Sequence, residues 1–173
     1  RNPAFPVLLD TQNLIDYMLV ILYSGNRDAP LTISTTGINN WYGIRNRNGE
    51  TGFLFFVHDS EHTLLNVNEN RTGPYTTGST FDRANPQWIH QQLMYSNEYR
   101  MQFADRVQAL MFNDGPMTTA ANLARHAARA DEIALAIIAE SARWGDSKQF
   151  PAYTKNTWLS ALNTVNNSAI HAR

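Results

Sequence analysis

The stretch Phe53 to Val57, "FLFFV", constrains the fold of this chain more than any other. An unbroken apolar run rich in aromatic residues, too short for a buried helix, predicts a buried strand. A partner precedes it. "NWYGIRN" has strand character, and the intervening "RNGET" contains Asn48-Gly49, a strong tight-turn signal. The two segments predict one β-hairpin, and the other strongly patterned segments are helical. The expected class is therefore α+β, predominantly helical with one hairpin.

The helices are read from their punctuation and spacing. Asp10 is a plausible N-cap for "TQNLIDYMLVILYSG", with Leu14, Met18, Ile21 and Leu22 at helical spacing and Gly25 as the stop. Pro86 suits the first turn of "NPQWIHQQLMYS", and "NEYRMQFADRVQALMF" places Met101, Ala104, Val107, Leu110 and Met111 on one face. Thr118 or Thr119 caps a longer helix from about Ala120 to Ala142, with Leu123, Ala127, Ala130, Ile133, Ile137 and Ile138 on its apolar stripe and Gly145 as its end. A last helix is anchored by Trp158, Leu159, Leu162 and Val165. Between these elements, "GNRDAPLTISTTGINN" is a long loop of the kind that is functional or mobile, and residues 65–84 hold no period and read as loop.

The chain's 173 residues suit a single domain, residues 1–173, with one core. With 43% hydrophobic and 17% charged residues it should fold, and a net charge of -1 excludes an electrostatic case for nucleic acid or an anionic membrane as partner. "LIDYMLVILY" is about half the roughly 20 residues that a membrane span needs. The absence of cysteine excludes disulfides, zinc-thiolate sites and thiol nucleophiles. The opening "RNPAFPVLLD", with no methionine and no leader, is expected to be interior to a longer protein.

The strand prediction raises a chemical question at its end, where "FLFFV" gives way to His58, Asp59, Ser60, Glu61 and His62. Carboxylates just past a buried strand are held rigidly at a mouth open to solvent, which suits a divalent cation. The same residues also fit an acid/base pair or an ordinary solvated turn. Asp28 in "GNRDAP" and Asn40 in "NNW" could converge with Asp59 at one end of the hairpin, and two acids with an amide suit magnesium and a phosphate chain. Asp28 is equally a turn former in its Asp-Ala-Pro context. His58 and His62 are four apart, but in a strand exit and not a helix, which argues against the zinc-protease pattern. There is no Gly-x-Ser-x-Gly elbow, P-loop or glycine-rich phosphate loop.

Taken in order, "NLIDYMLVILYSGNRDAP", "NNWYGIRN", "GFLFFVHDSEHTL", "NEYRMQFADRV" and "ARADEIALAIIAESARWGD" resemble the CotH-type atypical protein kinases, a family named from a spore-coat protein. The family's strand exit reads like Trp-Asp-x-Glu; here His58 stands in place of the tryptophan and both acids remain. The resemblance implies the C-terminal catalytic lobe of a kinase, within a larger secreted or cell-surface bacterial protein. It implies Asp59 as a magnesium-binding acid and Asn40 as a second metal or catalytic-loop ligand. Asp28 would stand near the transferred phosphate, as base or metal ligand, and Glu61 would be a supporting acid. The implied cofactors are Mg2+ and ATP, and the implied partners are a protein substrate phosphorylated on Ser/Thr and an N-terminal lobe of the same chain. Lys148 and Lys155 are the only lysines, so the cation expected on the nucleotide phosphates would come from that missing lobe, with Arg27 and Arg45 as cations able to reach phosphate. Such a fragment is expected to be inactive alone. Two other expectations use the same residues: a non-catalytic binding module with a decayed site, and a metal-dependent phosphoester hydrolase.

Overall fold

The structure, a computed structural model, describes residues 5–31, 38–73, 85–147 and 149–171. Two parts of the expected loops, 32–37 and 74–84, lie outside the described residues. Among the described residues there are five α-helices and one two-stranded antiparallel sheet, so the fold is mixed α+β and mostly helical. The chain clusters into two compact units, one of residues 1–64 and 68–109 and one of residues 65–67 and 110–173.

The first unit is built on α1 (Thr11–Ser24). Asp10 caps it by accepting from the Asn13 N–H at 2.9 Å. Leu14, Ile15, Tyr17, Met18, Leu19 and Ile21 are buried, so the helix is enclosed on most sides, as its nearly continuous apolar sequence requires. Its one acid, Asp16, is matched by Arg106, whose Nε and Nη2 donate to the two carboxylate oxygens at 2.5 and 2.9 Å. Gly25 ends the helix with φ 61°. Its N–H donates to the Leu22 carbonyl at 3.3 Å and the Asn26 N–H to the Ile21 carbonyl at 3.2 Å, a Schellman pair that needs a residue at ease in the left-handed region.

Strands β1 (Trp41–Ile44) and β2 (Leu54–Val57) form the expected hairpin, with Trp41 opposite Val57 and Gly43 opposite Phe55. Phe55 is the buried residue of β2 and packs its ring against Tyr17 and Trp41. A Cβ at Gly43 would come within 3.2 Å of that ring, so glycine there leaves it room. The other edge of β2 is also satisfied. The Phe55 N–H donates to Asn13 Oδ1 at 2.6 Å and Asn13 Nδ2 donates to the Phe55 carbonyl at 3.3 Å, while Phe53 exchanges backbone bonds with Leu8 and Asp10. An amide side chain of α1 and the segment before it thus stand in for a third strand. The outer face differs: Tyr42 and Phe56, directly opposite each other, are both exposed. The hairpin turn lies one residue ahead of the expected Asn48-Gly49 pair. Asn46 accepts from the Gly49 N–H with its carbonyl and from the Asn48 N–H with its side chain, so Arg47 and Asn48 are the central residues.

Helices α2 (Pro86–Leu93) and α3 (Asn97–Met111) complete the first unit, α3 through residue 109. Pro86 opens α2 as expected, and Asn85 caps it. On α3 the expected face is inward in part: Val107, Leu110 and Met111 are half-buried. Tyr99 is buried and Phe103 half-buried, both against the His90 ring of α2, whereas Met101 and Ala104 are exposed. In the first half of the helix the two aromatic rings take the inward positions, because they remove more area from water than methionine and alanine.

In the second unit α4 (Thr119–Trp144), capped by Thr118, packs on α5 (Lys155–Thr164) and on the π-helical turn Val165–Ile170 that continues it. Thr154 and Thr157 form a capping box at the start of α5, and His126 Nδ1 lies 2.6 Å from Asn166 Oδ1 between the two helices. Of the expected stripe on α4, Leu123, Ala130, Ile133 and Ile137 are half-buried, and Ala127 and Ile138 are exposed. No helix among the described residues is long and apolar enough to cross a membrane.

Candidate functional site

The end of α1 and the end of β2 meet. Past the Schellman pair, Asn26 is fully buried and ties the two segments together: its Oδ1 accepts from the Asp28 N–H at 3.0 Å and its Nδ2 donates to Ser60 Oγ at 3.3 Å. Backbone bonds reinforce the tie, from the Arg27 N–H to the His62 carbonyl at 3.0 Å and from the Leu64 N–H to the Ser24 carbonyl at 2.8 Å. The loop after β2 is therefore held along the turn after α1.

Asn40, the residue before β1, joins Asp28 to Asp59. Its Nδ2 donates to Asp28 Oδ2 at 2.9 Å and to the Asp59 backbone carbonyl at 3.2 Å, and Asn39 Nδ2 adds a second donor to Asp28 Oδ2 at 3.0 Å. Asn40 and Asp59 both have positive φ, 48° and 49°, at the base of the hairpin. Asparagine and aspartate tolerate this region better than other non-glycine residues, and each still costs about 1 kcal/mol. Leu64, at φ 55°, lacks that excuse and is held there by its bond to Ser24. Strained backbone at three positions around one mouth means that the surrounding contacts fix its shape.

Three side chains point together across this mouth. One ligand atom each from Asp28, Glu61 and His62 lie within 4.8 Å of one another, with His62 Nε2 3.4 Å from Glu61 Oε1. Two carboxylates give charge and hard oxygens, and the imidazole adds a nitrogen, so the donor set fits a divalent cation. Asp28, Asn40, Asp59 and Glu61 are brought into one place. Asp59 takes part through its carbonyl, and its carboxylate is not one of the three converging groups. Arg27 lies beside the site with its Nε 3.7 Å from Glu69, and Arg45 is elsewhere, donating to the Val7 carbonyl. His58 rests edge-on against Tyr42. Sequence reasoning weighed His62 only as part of a zinc pattern and set it aside, and it missed Asn26 and Asn39. The Asn39-Asn40 doublet was a visible signal for a second amide; nothing local marked Asn26, whose role depends on a partner 34 residues away.

A family model described as CotH kinase protein matches residues 4–167. No curated protein and no solved structure matches the chain.

Proposed function

The chain belongs to the CotH kinase protein family, and from that premise we propose that it is the catalytic lobe of a protein kinase, which in the full-length protein transfers the ATP γ-phosphoryl group to a protein Ser/Thr hydroxyl with Mg2+. The observation that carries this is the Asn40 amide, which holds the Asp28 carboxylate against the Asp59 backbone and so fixes acids from two distant segments at one mouth. In the reaction the hydroxyl oxygen bonds to Pγ, the bond from Pγ to the bridging oxygen breaks, and ADP leaves with that electron pair. The transition state is loose, so positioning and charge neutralisation matter more than early removal of the hydroxyl proton. When bound, the cation would neutralise charge on the phosphate oxygens.

The chain's own residues would position. Asn39 and Asn40 both donate to Asp28 Oδ2, which orients the carboxylate so that Oδ1 is what it offers, as base to the hydroxyl proton or as ligand. Asp28 and Glu61, the two carboxylates that converge, would hold the cation, with Asn40 beside them and Asp59 as a further acid at the rim. The exposed apolar pair Tyr42 and Phe56 leads along β2 towards Asp59 and suits the flat face of a purine. An N-terminal lobe would complete the nucleotide site.

The test uses full-length protein, γ-labelled ATP, Mg2+ and a generic acceptor protein rich in Ser and Thr. Protein labelling should fall by roughly 100-fold or more in Asp28→Ala, in line with the loss of a group that stabilises charge in the transition state, and Asp59→Ala should lower it as well if its carboxylate turns to the cation. Labelling equal to wild type in Asp28→Ala would show that this mouth is not the site. Label released only as free phosphate would make the protein a phosphoester hydrolase, and no turnover by wild type would make it a binding module.

A further inference from the structure

We propose that His62 is a direct nitrogen ligand of the cation held with Asp28 and Glu61, and that the site therefore takes Mn2+ or another transition divalent ion in preference to Mg2+. The inference rests on the reading of this mouth as a cation site and adds the residue that sets which cation it prefers.

The geometry points to His62 for three reasons. The first is distance. Donors about 2.1 Å from a common ion stand about 3 Å apart when adjacent and about 4.2 Å apart when opposite. Asp28, Glu61 and His62 have one donor atom each within 4.8 Å of one another, so a small contraction closes them on one ion. The second is placement. His62 is held at its backbone, because the Arg27 N–H donates to its carbonyl at 3.0 Å, and this fixes the residue beside the Asp28 turn whatever its ring does.

The third reason is charge. Two carboxylates this close repel each other, and the amides of Asn39 and Asn40 that donate to Asp28 Oδ2 carry no net charge to offset it, so a cation between them would be stabilising. The guanidinium at hand, Arg27, is instead turned towards Glu69, with Nε 3.7 Å from Oε2. The 3.4 Å contact of His62 Nε2 with Glu61 does not account for the arrangement by itself. Both side chains are more than half exposed, and an exposed ion pair of this kind fixes neither partner. A cation shared by all three would hold them together.

The preference follows from the donor types. Mg2+ takes oxygen ligands and gives up its water reluctantly, whereas imidazole suits the first-row transition ions, whose affinity for a mixed nitrogen and oxygen site rises from Mn2+ to Cu2+ and falls again at Zn2+. Mn2+ also accepts carboxylate and phosphate oxygens, so it fits both the protein side and a phosphate ligand.

The test is a titration of the full chain with Mn2+ in the absence of nucleotide, read by electron paramagnetic resonance with Mg2+ as competitor. The wild type should bind Mn2+ at least about tenfold more tightly than Mg2+, and the spin-echo modulation of the bound ion should show a directly coordinated 14N. His62→Gln keeps a polar side chain of similar reach. It should lose the nitrogen signal and about tenfold or more of the Mn2+ affinity, while Mg2+ affinity stays within about twofold. His58→Gln should change neither, since His58 lies against Tyr42. Bound Mn2+ without a nitrogen signal, or a signal that survives His62→Gln, overturns the inference and leaves the phosphotransfer reading intact. A nitrogen signal lost in His62→Gln, from a protein that labels no substrate, supports the inference while the kinase reading fails. Failure of the wild type to bind either ion overturns the cation site itself.

Discussion

The two units bury their apolar residues in different ways. In the first, α1 is enclosed, with six buried apolar or aromatic residues, and β2 is paired on both edges. In the second, α4 is 26 residues long and has no buried residue; its apolar side chains are at best half-covered by α5 and the π-helical turn. Among the described residues of that unit, the buried ones are Gly115, Gly145, Ala169 and Ile170. The candidate site stands on the enclosed unit, at the ends of an anchored helix and an anchored strand. Side chains that must hold a fixed geometry need such support, because positions on a firmly packed element shift least.

The contrast can be broken most directly in the cores. Ile21→Ala removes a fully buried side chain of α1 and should cost about 3 to 4 kcal/mol, whereas Leu135→Ala, at a position 80% exposed on α4, should cost less than about 0.5 kcal/mol. Urea titrations of both variants check this. A cost for Leu135→Ala comparable to that for Ile21→Ala would show that α4 is covered in solution.

A smaller effect should appear with pH and belongs to the first unit. Burial pushes the His90 imidazole down from 6.5 to about 4. Between those values the unfolded chain binds a proton that the folded chain refuses, so this stabilisation is complete above pH 6.5 and is lost as pH falls towards 4. The loss should approach about 3 kcal/mol. Urea midpoints of wild type and His90→Gln, compared from pH 7 to pH 4, should diverge in that window. Parallel curves would mean that His90 is accessible to a proton in the folded state.

The smallest effects compare like with like. Asp10→Ala and Thr118→Ala each remove an N-cap, from α1 and α4, and each should cost about 1 kcal/mol. Hydrogen exchange then sharpens the comparison. Thr118→Ala should lower amide protection within residues 119–144 and leave α1 protected, and an equal loss in both helices would show that the two units open together.

Where local chemistry sufficed, the sequence was legible. The Asp10 cap, the Gly25 stop, the Pro86 start, the hairpin and the Thr118 cap all follow from residues within a few positions of each other. The inward face of α3 followed only in its second half; in the first half Tyr99 and Phe103 turn to His90 on another helix in place of Met101 and Ala104. The turn centre moved by one residue because the Asn46 side chain supplies a bond that a dipeptide signal does not encode.

The candidate site divides along the same line. The residue types, the acids past an apolar strand and the amide before its partner, are properties of the sequence, and so is membership of the CotH kinase protein family, since order and spacing carry it. Tertiary structure alone decided how they meet. It seated Asn40 between Asp28 and Asp59, turned Arg27 to Glu69 and set His62 beside Asp28. The physical reason is that a ligand set is defined by distances of a few ångströms between atoms far apart in the chain. Those distances exist only once the buried Asn26 and the backbone bonds around it have laid one loop along the other.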